Sequence, residues 1–131
     1  MRTVLMIVTA LHVLAGVYWA GSTFAAHGVA VRPERLAYSQ LGAAFIAVLA
    51  GGALWGLTQP YGTARTILSL GAGCAIVALG VQATALPAVR QVKAASSTEA
   101  AALRKWIILS QRLAAALLAV TVVCMVIWRY A

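Results

Sequence analysis

Apolar residues in this chain come in four long runs, near residues 3–26, 39–58, 65–88 and 105–128, with polar punctuation between them. Each run is close to the roughly 20 residues that a helix needs to cross the hydrocarbon core of a bilayer. The first connection, His27 to Tyr38, contains Arg32-Pro33-Glu34-Arg35. The second is a tight turn around Gln59-Pro60-Tyr61-Gly62, which makes helices two and three antiparallel neighbours. The third, Arg90 to Arg104, is polar, and its Ser96-Ser97-Thr98-Glu99 fits a capping box. The fourth helix is therefore expected to start at 97, about two turns before it enters the membrane. The pattern predicts an all-α, integral membrane, antiparallel four-helix bundle in one domain, with helices near 3–26, 39–58, 65–88 and 97–128.

Composition agrees with that pattern. Of 131 residues, 63% are hydrophobic and only 9% are charged, too few to cover a water-facing globule. The net charge of +8 comes from basic residues between the apolar runs, without interleaved aromatics. That distribution suits anionic lipid headgroups and argues against nucleic acid as a partner. Arg32, Arg35, Arg90, Lys93, Arg104 and Lys105 belong to the first and third connections, against Arg2, Arg65 and Arg129 on the other side. The positive-inside rule then puts both termini of a multi-pass protein outside the cytoplasm. Arg2 and the following apolar run, with Thr23-Phe24-Ala25, loosely imitate a cleavable signal peptide, but an uncleaved first span is expected. Trp106, Trp128, Tyr61 and Tyr130 fall at span ends, where amphipathic rings favour the headgroup zone. Cys74 and Cys124 lie in apolar runs without metal-binding or redox spacing. Gly16 and Ala20, Gly52 and Gly56, and Ser69 and Gly73 form small-xxx-small pairs, expected where helices touch.

Two basic residues stand deep inside the spans. His12 lies near the middle of the first, and an ionisable group at that depth usually has a partner and a task. Imidazole is also a common ligand for haem iron and other metals. Trp19 follows seven residues later on the same face, with Gly16 and Thr23 between and beyond. Arg112 lies inside the fourth span, level with Trp19 and close in depth to Gln82. No intramembrane carboxylate can pair with it, since Glu34 and Glu99 belong to connections. An anion supplied by a ligand would answer its charge, as would snorkelling to the headgroups. His12 and Arg112 differ in depth by roughly 10 Å, about the reach from a haem iron to its propionates, so one porphyrin could engage both. A second axial ligand is not evident. His27 is about 22 Å along the helix from His12. Met6 and Met125 lie nearer the outer surface, and Cys74 matches in depth but suits packing. A haem would be five-coordinate, or shared by two protomers that each donate His12.

The stretch Leu11-His12-Val13-Leu14-Ala15-Gly16-Val17-Tyr18-Trp19-Ala20-Gly21 resembles the first-helix pattern of the HemJ and CopD group of small bacterial membrane proteins. There a histidine is followed seven residues later by a tryptophan and then by small residues; membrane-anchored urate oxidases with a cytochrome c tail have a similar flavour. HemJ proteins are four-helix, haem-b-binding protoporphyrinogen oxidases of similar length, so the resemblance implies His12 as a haem ligand. CopD relatives handle copper, which would make His12 a metal-pathway residue. The resemblance covers about 12 residues. The chain lacks a later-helix histidine or lysine to complete a HemJ-type site, and it has no methionine-rich stretch for copper.

The expectation from sequence is a haem-b-binding membrane protein of electron transfer or porphyrin oxidation. His12 would be its metal ligand, with Gly16, Trp19 and Arg112 around the cofactor. The alternative is a non-enzymatic membrane protein: a copper-handling component, or a structural subunit of an oligomer or larger complex. The shortage of interior groups for acid–base chemistry supports it. Active transport ranks third, because Pro87 is the one candidate helix break and lies at a helix end.

Overall fold

The computed structural model describes residues 1–27 and 33–131. Arg32, in the first connection, lies outside them, as do the side chains of His27 and Glu34. Among the described residues the chain is all helix and turn. Helix α1 is Arg2–His27, α2 Pro33–Thr58, α3 Gly62–Thr84, α4 Leu86–Gln91 and α5 Ser97–Ile127, with a final 3-10 turn at Trp128–Tyr130. Four of these stretches are long and apolar enough to span a membrane: Arg2–Ala26, Arg35–Thr58, Gly62–Gln91 and Ser97–Tyr130. Helices are the natural solution there, because each satisfies its backbone polar groups internally where no water can.

Local chemistry sets the ends of the helices. Helix α2 begins at Pro33, earlier than the expected 39. A proline at the first helical position loses nothing, since its missing N–H would be an orphan anyway. At the other end Gln59 takes φ 44° and its N–H donates to Trp55 O at 2.9 Å, closing the helix before Pro60. Gly62, with φ 61°, supplies the second left-handed residue of this turn. Helix α3 ends at Thr84 rather than near 88, and Pro87 occupies the first turn of the short α4. The proline lacks an N–H and its ring would clash with a preceding carbonyl, so the helix restarts instead of continuing. Ser96 and Glu99 form the capping box of α5: Glu99 N–H donates to Ser96 Oγ at 3.3 Å, and Ser96 N–H to Glu99 Oε2 at 3.4 Å.

In the bundle α1 packs on α2 and α5, and α3 packs on α5 and α2, leaving α1 and α3 across the diagonal. Of its most apolar window, α5 buries 44% of residues within the protein and α1 only 6%, so α5 is the central helix and α1 the peripheral one. The core is Trp19 set among Ala44, Ala47, Ala75, Ala78, Ala114 and Leu118. Alanines let backbones approach closely, which is how helices associate where lipid removes the hydrophobic drive between them. A smaller cluster of Ala37, Ala88, Val89 and Ile107 fastens α4 to α2 and α5. Large side chains such as Leu14, Val17, Phe45, Leu49, Ile76 and Val123 face outward, as lipid permits.

The expected small-residue pairs do not make the helix contacts. A Cβ added at Gly16, Gly52, Gly56 or Gly73 would meet nothing within 4 Å. The close approaches are at Gly51 and Gly71 instead. A Cβ on Gly51 would lie 3.0 Å from His12 Cε1, and one on Gly71 would lie 2.9 Å from Cys124 Cβ. The spans are apolar all round, so small residues occur on lipid-facing and inward faces alike, and spacing alone does not choose between them.

Candidate functional site

Helix α1 directs His12 into its seam with α2. The ring is half-buried, and Nδ1–H donates to the Ala47 carbonyl at 2.8 Å. Because a carbonyl only accepts, this bond places the proton of the neutral ring on Nδ1 and leaves the lone pair on Nε2. Ala47 and Gly51 are one turn apart on α2, and the missing side chain of Gly51 is what lets the imidazole lie against that helix. Nε2 has no hydrogen-bond partner among the described residues. One turn along α1, Gly16 borders open space.

Trp19 has a different environment, fully inside. Its indole Nε1–H donates to Gln82 Oε1 at 2.6 Å. From there a chain of amides crosses the bundle. Gln82 Nε2 donates to Thr23 Oγ1 at 3.1 Å and to Gln111 Oε1 at 3.2 Å, and Gln111 Nε2 donates to Gln40 Oε1 at 2.7 Å. Thr23 passes its own hydroxyl proton to Trp19 O at 2.7 Å. Helices α1, α2, α3 and α5 each contribute a member, and all five side chains are buried. The indole dictates the direction of the chain. It can only donate, so Gln82 must turn its oxygen to Trp19, Gln111 its oxygen to Gln82, and Gln40 its oxygen to Gln111. Gln40 Nε2, the last group, is buried without an acceptor.

The other residues singled out in the sequence fall elsewhere. Gln111 takes the inward position on α5, and its neighbour Arg112 is exposed on the outer face. The interior that His12 and Arg112 were expected to share with a porphyrin is filled by Trp19 and its alanines. Arg112 has no hydrogen bond or ion pair among the described residues, which fits a side chain reaching along the lipid surface to the headgroups. Cys124 is buried against Gly71, and Cys74 is half-buried. Among the described residues no three His, Cys, Asp or Glu side chains gather where they could hold a metal ion.

Sequence reasoning named Trp19, Thr23 and the depth of Gln82, but not the amide chain. A signal was present: Gln40, Gln82 and Gln111 are each an isolated amide within or beside an apolar run. In lipid such a group needs a partner, and an indole on another span is a fitting donor.

No known protein family, curated protein or solved structure matches this chain. The structure defines the class, an all-α multi-pass bundle with membrane-spanning helices, and the functional reading rests on the chain's own residues.

Proposed function

We propose that this protein binds haem b through His12 and serves electron transfer or porphyrin oxidation in a bacterial inner membrane, as a HemJ-like protein. The observation that carries the reading is the Nδ1–H bond from His12 to the Ala47 carbonyl, 2.8 Å long. Ligating histidines characteristically give their other N–H to a carbonyl or carboxylate, which fixes the tautomer and orients the free nitrogen. His12 would hold the group through Nε2, as its one protein ligand. A macrocycle carries its own four nitrogens, so a single protein ligand suffices, whereas a metal held by side chains alone needs more donors than gather here. Haem supplies one-electron chemistry when bound. The chain's part is to hold the imidazole through α2, to leave room beside it at Gly16, and to close the interior behind it with Trp19. With the core filled, the cofactor would lie along the outer side of the α1–α2 seam, facing lipid or a second copy that donates its own His12. The excess of basic residues in the first and third connections supports an orientation with both termini outside the cytoplasm.

The absorption spectrum of the purified protein tests this. A Soret band that shifts on dithionite reduction, and is absent from a folded His12→Ala variant, is expected. A colourless wild-type protein from haem-replete cells, reconstituted with haem without a saturable spectral change, overturns it. Copper in that colourless protein would point to a copper-handling role for the same imidazole.

A second reading, a structural subunit of a membrane complex, is favoured by the amide chain. Its members mostly satisfy one another and offer no acid or base for proton transfer. A colourless, metal-free protein that is degraded when a co-purifying partner is deleted would favour it.

A further inference from the structure

A pocket of about 450 Å³ opens at the end of the bundle that carries the first and third connections, lined by Arg35, Tyr38, Val89, Arg90 and Lys93. Three of these five are cations and none is an acid. Arg35, Arg90 and Lys93 are exposed, and none has a hydrogen bond or ion pair among the described residues. Like charges converging on one concavity repel unless an anion joins them. The walls are held in place. Val89 is buried in the cluster of Ala37, Ala88 and Ile107 that fastens α4 to α2 and α5, so Arg90 is presented from a fixed helix, and Tyr38 lies one turn from Arg35 on α2. Position selects the kind of anion. The pocket lies at the ends of the two apolar stretches Arg35–Thr58 and Gly62–Gln91, where a span would meet the headgroups, and Trp106 is exposed near that end of α5. Basic pockets between spans at this level suit phosphate-bearing headgroups. A guanidinium pairs two-pronged with phosphate oxygens, an ammonium adds a point charge, and a phenol can donate a further hydrogen bond.

We propose that this pocket is a binding site for the phosphate of an anionic phospholipid, docked between α2 and α4 with its chains against the outer face of the bundle. The site is independent of His12 and of any haem.

The test uses the full chain in detergent micelles, titrated with phosphatidylglycerol, with phosphatidylcholine and with inorganic phosphate, reading thermal stability and retained lipid by native mass spectrometry. Wild type is expected to retain a small fixed number of phosphatidylglycerol molecules and to gain stability saturably. A variant with Arg35→Gln, Arg90→Gln and Lys93→Gln should lose roughly a hundredfold in apparent lipid affinity. A control with Arg2→Gln, Arg65→Gln and Arg129→Gln removes the same charge from the other end and should bind as wild type. Equal losses in both triple variants would make the effect general electrostatics and overturn the proposal. So would equal retention of phosphatidylcholine by wild type, or full stabilisation by inorganic phosphate alone, which would mark a free-phosphate site. Should the triple variant fail to fold, the comparison of lipids on wild type and the three single variants decide in the same way.

Discussion

Gln82 is the node of the buried amide chain, and Gln82→Met is the change that measures what the chain is worth. Methionine keeps the length and flexibility of the side chain and so fills the same space. It removes three hydrogen bonds: the one from Trp19 at 2.6 Å and those to Thr23 at 3.1 Å and Gln111 at 3.2 Å. Interhelical hydrogen bonds in bilayers average about 0.6 kcal/mol, so three amount to about 2 kcal/mol. The indole N–H, 3% exposed on Trp19, is then stranded without an acceptor, which adds about 1–3 kcal/mol. The expected loss is about 3–5 kcal/mol. Gln40→Met is the internal control. It breaks one bond, at 2.7 Å, and strands Gln111 Nε2, but it also removes the Gln40 amide nitrogen that is already buried with nothing to bond; one orphaned donor replaces another, so the net cost should stay within about 1 kcal/mol. Reversible unfolding of both variants in bicelles gives the two numbers. If Gln40→Met costs as much as Gln82→Met, or if Gln82→Met is neutral, the directional chain is not what holds the helices.

Gly71→Ala should destabilise the α3–α5 seam by about 1–3 kcal/mol, because its Cβ would lie 2.9 Å from Cys124 Cβ and 3.5 Å from Thr121 O. Gly73→Ala should be silent in the same melting experiment, and Cys124→Gly should relieve Gly71→Ala where Cys124→Ala does not. Gly51→Ala should press on the imidazole, 3.0 Å away at Cε1, and cost about 1–3 kcal/mol in wild type but little in a His12→Ala background. A double-mutant cycle on thermal stability reads the difference, and no coupling would mean that His12 does not lie against α2. Gly16→Phe fills open space, so it should leave stability within about 0.5 kcal/mol. On the haem reading it should abolish the Soret band. Retained haem in that folded variant would move the cofactor away from this stretch of α1.

The spans were legible because hydropathy over about 20 residues is a property of the segment and not of its neighbours. The Ser96–Glu99 cap was legible for the same local reason. What faces what was not. In a soluble helix the apolar stripe reveals the core, but helices apolar all round hide their inward face, and so Gly51 and Gly71 were passed over for Gly52, Gly56 and Gly73. Arg112 illustrates the same difficulty. Depth along α5 was readable, but whether position 111 or 112 points inward depends on α1 and α3, far away in sequence. The amide chain joins Gln40 to Gln111 and Thr23 to Gln82, pairings that no local pattern encodes. His12 was found through depth alone, and its partner turned out to be a backbone carbonyl, which carries no residue signature.

The hydrogen bonds made by side chains between helices divide the molecule into two blades. His12 to Ala47 and Tyr18 to Ser39 tie α1 to α2, while Thr121 to Gly71 and Gln82 to Gln111 tie α3 to α5. Blade joins blade by hydrogen bonds at the glutamine level, as if by a clasp, and the covalent turn at Gln59–Tyr61 hinges them at the opposite end. Toward the Gln59–Tyr61 end, the hydrogen bonds of His12 and Thr121 stay within their own blades. A parting of the two blades would therefore have to break the glutamine clasp, while the bonds inside each blade stayed intact.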